Sequence, residues 1–495
     1  MSENQNIKKS LKATSLFGGV QIFGILVTII RTKLVALLIG PVGVGIVELY
    51  NSTIKLITSL TDFSLSVSAV RDVSIAYKSG NKARYSHVIS VFSRIVWLTG
   101  LLGTFICLLG SPLWSKLTFG NYDYTIGFVL LSITLLLNQL KAGKSVLLQA
   151  TEHFRYLALA GIVGNVIGLL TVVPIYYFWR LDGIVAVLLL VALFPYVIIY
   201  FYAAKLNVKC EKVSFNSVIN EGKGMLKQGF FLSVNFLLST LVFYILRIVL
   251  NNTGGLAEIG LYSSSFVIVN TYVGMVFQSM SQEYYPRLSA LSDKKKEFNE
   301  AVNSQTLFSL LLLGPMIFCF LAFSEQILTI LYSNKFIGAS LLMALSMLGV
   351  VFQAPSWCMG YAFLAKGDNM AFFFYETTAK AIKLVLDILF YLLLGLTGLG
   401  ISFIISYIYY FLQCALVCKL RYDINLSREV YTLLCLYFII GGGLVFAVFN
   451  LTLLYAVVIG LIAIILSSFF SYYKLNKIVN ISGFIKRKLY HNNEK

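Results

Sequence analysis

Apolar residues occur along this chain in long unbroken runs, and short polar segments separate the runs. Each run is about as long as the ~20 residues that a helix needs to cross a bilayer, and the ten-residue alternation typical of a membrane β-barrel does not occur. The pattern predicts an all-α polytopic membrane protein with about 14 transmembrane helices. The predicted spans lie near residues 12–39, 43–66, 86–110, 125–147, 155–178, 182–204, 229–250, 257–282, 303–331, 339–364, 371–395, 398–419, 429–449 and 451–473.

The positive charges predict how these spans are oriented. If the N-terminus is cytoplasmic, 29 of the 39 Lys and Arg residues fall in cytoplasmic segments and only Lys116, Arg180 and Lys335 fall in external loops. Lys and Arg accumulate in cytoplasmic loops of membrane proteins. We therefore expect both termini of this multi-pass protein in the cytoplasm. The net charge of +18 then needs no nucleic-acid partner.

Composition excludes several other classes of protein. Only 12% of the residues are charged and 58% are hydrophobic, which is unlike a soluble enzyme. Three His and seven scattered Cys predict neither a metal site nor a disulfide framework. Ala142-Gly143-Lys144-Ser145 is similar to the end of a phosphate-binding loop, but Asn138 stands where such a loop requires glycine. We therefore predict no nucleotide site, no enzyme activity and no bound cofactor.

Two halves of the chain are similar to each other. Arg31 and Arg247 each lie late in a span ahead of a glycine-containing turn, and Arg71 and Arg287 follow each of them by 40 residues, so the offset is 216 both times. We predict two parallel six-helix repeats related by an axis along the membrane normal. The predicted domains are an N-lobe (1–204), a cytoplasmic linker (205–228), a C-lobe (229–419), two additional spans (420–473) and a basic tail (474–495).

Seven cations lie inside predicted spans, where a charge costs about 2.5–3.5 kcal/mol on insertion scales. Lys33 and Arg94 are near enough to span ends to reach the interface. The other five are predicted to line a cationic cavity for an anionic substrate, with arginine suited to pyrophosphate: Arg31, Lys55, Arg247, Lys380 and Lys383. Acidic residues on the same helices, Glu48, Glu376 and Asp387, either neutralise these cations or couple transport to Na⁺ or H⁺. Polar contacts between helices are the alternative interpretation.

Several segments resemble the Wzx-type polysaccharide and O-antigen flippases of the multidrug/oligosaccharidyl-lipid/polysaccharide exporter superfamily. They are RTKLVALLIGPVGVGIVELYNS (31–52), LRIVL (246–250), IGLYSSS (259–265), YYPRLSAL (284–291), LYSNKF (331–336) and YAFLAKG (361–367). The similarity covers roughly residues 10–420. It implies two six-helix bundles that open alternately to either side of the membrane. It also implies that Arg31 and Arg247 occupy positions where related flippases keep an arginine.

The resemblance implies a function as well. The expected substrate is an undecaprenyl-pyrophosphate-linked oligosaccharide, such as an O-antigen, capsule or exopolysaccharide repeat unit, that crosses from the inner to the outer leaflet of a bacterial inner (cytoplasmic) membrane. Membrane lipid, a polysaccharide polymerase and a chain-length regulator are the expected partners. The first alternative is a multidrug or cation antiporter of the same superfamily. The second is a membrane glycan polymerase or ligase, although the longest predicted external loop (111–124) holds only Lys116 and Asp123 as charges.

Overall fold

The computed structural model describes residues 3–206, 211, 213 and 215–479, without the side chains of 3–22, 67, 215–222, 224–232, 235, 453, 478 and 479. Within these residues the chain forms α-helices, two short 3-10 helices (Arg180–Gly183 and Asn334–Ala339) and no strand. The α-helices are α1 (Glu3–Thr61), α2 (Leu65–Lys78), α3 (Lys82–Leu109), α4 (Ser111–Phe119), α5 (Thr125–Ala150), α6 (Phe154–Trp179), α7 (Ile184–Ala204), α8 (Phe215–Ala290), α9 (Lys295–Ala322), α10 (Ser324–Leu331), α11 (Ser340–Ala365), α12 (Asn369–Tyr422), α13 (Arg428–Asn450) and α14 (Leu453–Val479).

Ten helical stretches of the described residues are long and apolar enough to cross a membrane. Four of them have 39 to 55 residues, enough for two predicted spans each. Each of the four is interrupted where two predicted spans meet, at Gly40, at Arg180–Gly183, at Gly255 and at Gly395. The chain is therefore a multi-pass, all-α membrane protein, as predicted. The number of crossings stays a prediction.

Two of these interruptions share one backbone conformation. Gly40 has φ 63° and ψ −171°, and Gly255 has φ 80° and ψ −178°. A residue with a Cβ rarely adopts such positive φ values, so glycine is needed where the first helix of each pair ends. Gly40 and Gly255 are 215 residues apart, which is close to the offset of the predicted repeat.

The turns that follow α5 and α11 also match. The backbone N–H groups of Thr151, Glu152 and His153 donate to the carbonyls of Leu147, Gln149 and Leu148. The same three bonds recur 215 residues later, from Lys366, Gly367 and Asp368 to Ala362, Leu364 and Phe363. The preceding helices agree too, because α3 and α9 both have 28 residues and α5 and α11 both have 26. These features agree with an internal repeat, whereas the parallel orientation of its halves stays a prediction.

The chain divides into two compact units. Unit 1 consists of residues 1–260 and 331–333, and unit 2 consists of residues 261–330 and 334–495. The helix of predicted span 7 thus belongs to unit 1. The predicted lobe boundaries remain predictions, and residues 207–210, 212, 214 and 480–495, which fall in the predicted linker and basic tail, lie outside the described residues.

Inside unit 1, the helix that follows Gly40 meets the helix that follows Gly255 at a pair of glycines. A Cβ added to Gly45 would overlap the carbonyl oxygen of Leu256, and a Cβ added to Gly260 would overlap that of Pro41. Both pairs of equivalent residues, Gly45 with Gly260 and Pro41 with Leu256, are separated by 215 positions. One backbone contact is therefore made twice, and it requires glycine at both places because no side chain fits between the backbones.

Asp368, in the turn between α11 and α12, is expected to stabilise the fold in a pH-dependent way. Its carboxylate caps α12 by accepting the N–H of Ala371 at 3.1 Å, accepts the Tyr422 hydroxyl at 2.8 Å and pairs with Arg421 at 2.8 Å. The Tyr422 hydrogen bond is the largest of the causes that lower the pKa of Asp368. Asp368→Asn keeps a side chain that can cap the helix but removes the charge that Tyr422 and Arg421 interact with, which should cost about 1 kcal/mol at neutral pH.

The sign of the pH dependence follows from that lowered pKa. The contribution of Asp368 is complete above its ordinary unfolded-state pKa and is lost as the pH falls through the lower folded-state pKa. Thermal unfolding of wild type and Asp368→Asn in detergent, measured from neutral to acidic pH, should show a stability difference that disappears in acid. The matched control is Asp423→Asn, since Asp423 is exposed at the end of the same helix. A difference that is constant over this pH range would contradict the prediction.

Candidate functional site

The most buried of the predicted cationic residues is Arg247, on α8, whose side chain pairs with Glu48 on α1. The Arg247 Nη2 to Glu48 Oε2 distance is 2.9 Å, and their side chains are 11% and 21% exposed. Arg247 Nε is buried and has no hydrogen-bond partner among the described residues. Sequence reasoning placed both residues on polar helix faces, and the structure brings them together over a separation of 199 positions. A buried guanidinium with an unused donor can accept a further anion.

A chain of hydroxyl groups lies one turn from this ion pair. Tyr244 Oη is 2.8 Å from Thr118 Oγ1, which is 3.0 Å from Thr53 Oγ1. Asn251 Nδ2 donates to the Thr118 carbonyl at 3.1 Å. Among these residues, sequence reasoning singled out only Tyr244. Thr118 was missed because it lies on α4, in a segment predicted to be an external loop, whereas Thr53 on α1 and Asn251 on α8 are uncharged and were not singled out. The spacing of its buried residues Ser111, Ser115 and Thr118 is the signal that could have indicated a short helix there.

Arg31 has different surroundings from its repeat counterpart Arg247. It lies on α1 facing α6, where a Cβ on Gly168 would come within 3.8 Å of its Nη1, and Tyr176 of α6 lies near it. Within the described part of the chain it forms no ion pair. The difference follows from the sequence, since the second half carries serine at both positions, 263 and 264, that correspond to Glu48. The repeat thus supplies two arginines but one carboxylate.

Lys55 is exposed on α1 and has no ion pair with any described residue. The structure does not bring it together with Arg31 or Arg247 through any described contact. Its predicted place in a cavity therefore stays a prediction. Of the two cations assigned to span ends, Arg94 donates to the backbone carbonyl of Val213.

The two lysines predicted to line the cavity from unit 2 are both in ion pairs on α12. Lys383 Nζ lies 2.5 Å from Asp387 Oδ2 and 5.4 Å from the centre of the Phe403 ring. Ser402 donates to the other carboxylate oxygen of Asp387. Asp387 is 2% exposed and borders a cavity of about 10 Å³, which is room for one water molecule. Both oxygens of this buried carboxylate are thus already engaged.

Glu376 and Lys380 form the second pair, at 3.4 Å, with side chains 24% and 31% exposed. Tyr410 donates to Glu376, and Gln413 donates to Thr378 at 2.9 Å. Each lysine of predicted span 11 is therefore paired with the acid one turn away, as its spacing indicated. Within the described residues, no group of three or more His, Cys, Asp or Glu side chains is placed to hold a metal ion.

A family model described as "polysaccharide biosynthesis protein" matches residues 34–341, more than half of the chain. The chain belongs to the polysaccharide biosynthesis protein family. The matched range holds Glu48, Lys55 and Arg247, whereas Arg31 and the α12 ion pairs fall outside it.

Curated relatives of this polysaccharide biosynthesis protein are named as flippases and transporters. The "Lipid III flippase" of Escherichia coli strain K12 is 25% identical over 390 residues, which cover 77% of this chain and 91% of the relative. The "Putative O-antigen transporter" of Shigella flexneri is 24% identical over 339 residues, which cover 67% and 79%. The predicted membership of the Wzx-type flippase family is confirmed, and the predicted class, a transporter and not an enzyme, agrees with both names.

Solved structures show that the fold is shared more widely. "Lipid II flippase MurJ, inward closed conformation" has a TM-score of 0.70 at 17% identity, and the match covers 93% of this chain and 99% of the MurJ chain. An inward-facing multidrug resistance MATE family transporter of the MOP superfamily has a TM-score of 0.65 at 15% identity, covering 83% and 96%. Because flippases and drug transporters share this fold, the fold alone does not identify the substrate of a polysaccharide biosynthesis protein.

Proposed function

We propose that this protein flips an undecaprenyl-pyrophosphate-linked oligosaccharide from the inner to the outer leaflet of a bacterial inner membrane. The curated relatives support the class of substrate. The observation that carries the proposal is Arg247, a guanidinium of a membrane-spanning helix that, within the part of the chain that the structure describes, has an unsatisfied Nε and one carboxylate partner. A polysaccharide polymerase and a chain-length regulator are the proposed partners, and both termini are proposed to be cytoplasmic.

The chemistry of the substrate explains why a buried arginine is needed. Without a protein, taking a charged pyrophosphate into hydrocarbon costs of order tens of kcal/mol. A guanidinium offers two parallel hydrogen bonds to phosphate oxygens and keeps its charge at any physiological pH. In the proposed mechanism the pyrophosphate displaces Glu48 from Arg247 and gains the unused Nε–H. The neighbouring hydroxyls of Tyr244 and Thr118 face the sugar or phosphate oxygens, and the polyprenyl tail stays in lipid.

Transport is proposed to proceed by alternating access, with an ion gradient as the source of energy. Of the two coupling ions left open by the sequence, H⁺ has more support than Na⁺. The Lys383 ammonium already occupies one carboxylate oxygen of Asp387, and Ser402 occupies the other. A sodium ion would have to displace that ammonium, whereas a proton only needs to be shared within the pair. Coupling is thus proposed to use the Lys383–Asp387 pair.

The multidrug antiporter is the alternative that the fold itself allows. A transporter of cationic drugs requires acids that lack a cation partner. Among the described residues, Asp62, at the end of predicted span 2, is an acid without such a partner. Glu48, Glu376 and Asp387 are each paired with a basic side chain. Arg31, in contrast, has no acidic partner among the described residues. The charge distribution therefore favours an anionic substrate over a cationic one.

Purified protein in liposomes tests the proposal. The liposomes contain a lipid-linked oligosaccharide with a fluorescent label on its glycan, and membrane-impermeant dithionite destroys the label in the outer leaflet. Protein-containing vesicles should expose label from the inner leaflet over time, faster with a pH gradient and unaffected by a sodium gradient. If the label stays protected while a cationic dye is extruded, the antiporter alternative is correct.

A further inference from the structure

The Ala142–Ser145 segment, which is not a nucleotide loop, lies at a crevice between two helices of unit 1. The crevice runs between α3 and α5 and is lined by apolar residues of both helices together with Ser93 and Lys144. Gly143 allows the close approach of the helices beneath it, because a Cβ there would lie 3.0 Å from the Val96 side chain. Lys144 is thus held at the rim of an apolar cleft.

The charge of Lys144 is not neutralised by any described carboxylate. Lys144 Nζ lies over the face of the Tyr200 ring on α7, 5.6 Å from the ring centre. One helical turn earlier on α5, Lys141 also has no ion pair within the described residues. The crevice therefore combines an apolar floor with unpaired positive charge, which is the complement of a lipid with an anionic headgroup.

Aromatic residues mark the depth of this site in the membrane. Trp97 lines the crevice and is 48% exposed, and Tyr200 is 47% exposed. Trp97 lies near the middle of its predicted span, at the level of the acyl chains. Exposed Tyr side chains are typical of the headgroup level of a bilayer, and Tyr200 lies four residues before the end of its predicted span. Lys144 lies six residues before the end of α5, about 9 Å along the helix, and therefore reaches the same level. This end of α5 is the one that the charge pattern predicts to be cytoplasmic.

We infer that the α3–α5 crevice is a binding site for one anionic phospholipid, such as phosphatidylglycerol. An acyl chain lies along the apolar floor between Phe92, Val96 and Leu140, and the phosphate contacts the ammonium of Lys144. The site does not depend on the proposed transport function, since Arg247 and the α12 pairs contribute nothing to it. Its expected consequence is a preference for anionic over zwitterionic lipid at this position of the membrane surface.

Trp97 provides the measurement, because bromine on a lipid chain quenches tryptophan fluorescence only on contact. The full-length protein is reconstituted with brominated phosphatidylglycerol or brominated phosphatidylcholine, and the signal of Trp97 is the difference between wild type and Trp97→Phe. We expect about fivefold stronger binding of phosphatidylglycerol in wild type. Lys144→Gln should abolish this preference, and Lys144→Arg should keep it.

Lys116 provides a matched control, because its Nζ also lies 5.6 Å from a tyrosine ring, that of Tyr122, without lining the crevice. Lys116→Gln should leave the preference unchanged. The inference is overturned if wild-type Trp97 is quenched equally by both lipids, or if Lys144→Gln and Lys116→Gln behave alike.

Discussion

Replacing Arg247 with Gln is expected to slow flipping by roughly 10- to 100-fold. Hydrogen bonds to charged groups contribute about 1.5–3 kcal/mol each, and a loss of this size in the transport barrier corresponds to that range of rates. The measurement is the rate at which dithionite gains access to the labelled glycan in liposomes. The variant should also unfold more easily, since Glu48 is left without its partner in a half-buried position.

A second substitution distinguishes two roles of Arg247, binding of the substrate and neutralisation of Glu48. The double variant Arg247→Gln with Glu48→Gln has a neutral pair, so its thermal stability should return toward that of wild type while flipping stays slow. If the double variant also recovers flipping, Arg247 serves only to neutralise Glu48. Lys474→Gln is the matched control, because it removes a cation from an exposed pair with Glu429 (2.6 Å) and should change neither quantity.

Substituting Ala for Gly45 or Gly260 is expected to be the most destabilising single-methyl change in unit 1. Each added methyl group would overlap a backbone carbonyl, of Leu256 or of Pro41, and a backbone cannot move aside as a side chain can. Overpacking of this kind costs about 1–3 kcal/mol or more. The free energy of unfolding in mixed micelles measures it.

The two substitutions should not be additive. Once one methyl group has separated the helices, the second meets less resistance, so the double variant should lose less stability than the sum of the single variants. Gly161→Ala is the control, since a Cβ at Gly161 has no heavy atom within 4 Å and the change should stabilise α6 by about 0.5–1 kcal/mol. Equal stabilities of Gly45→Ala and Gly161→Ala would show that the helices do not touch at Gly45.

The fold was predictable because hydropathy has a strong and local signal. The interruptions at Gly40, Gly255 and Gly395 fall between runs of apolar residues, and the pairing of Lys383 with Asp387 follows from helical spacing alone. In both cases the deciding residues are neighbours in the sequence.

The candidate site was only partly predictable, because its residues are distant from one another in the sequence. The contact of Arg247 with Glu48 joins two distant helices, and no periodicity indicates which polar faces meet. Likewise, α4 is too short and too polar to stand out from a loop, so the hydroxyl chain through Thr118 was missed. The sequence did not show whether Lys55 is exposed or buried. Helical spacing shows which residues lie on the same side of a helix, but not whether another helix packs against that side.

The double contact of Gly45 and Gly260 has a consequence for the origin of the molecule. Each of the two helices supplies a glycine and a carbonyl to this contact. Two identical chains form contacts of this kind about a twofold axis. A half-length ancestor could therefore have made it as a homodimer, with one gene encoding both sides. In a fused chain with the predicted repeat, each half changes separately, and a carboxylate such as Glu48 can then stand in one half while the other half has serine.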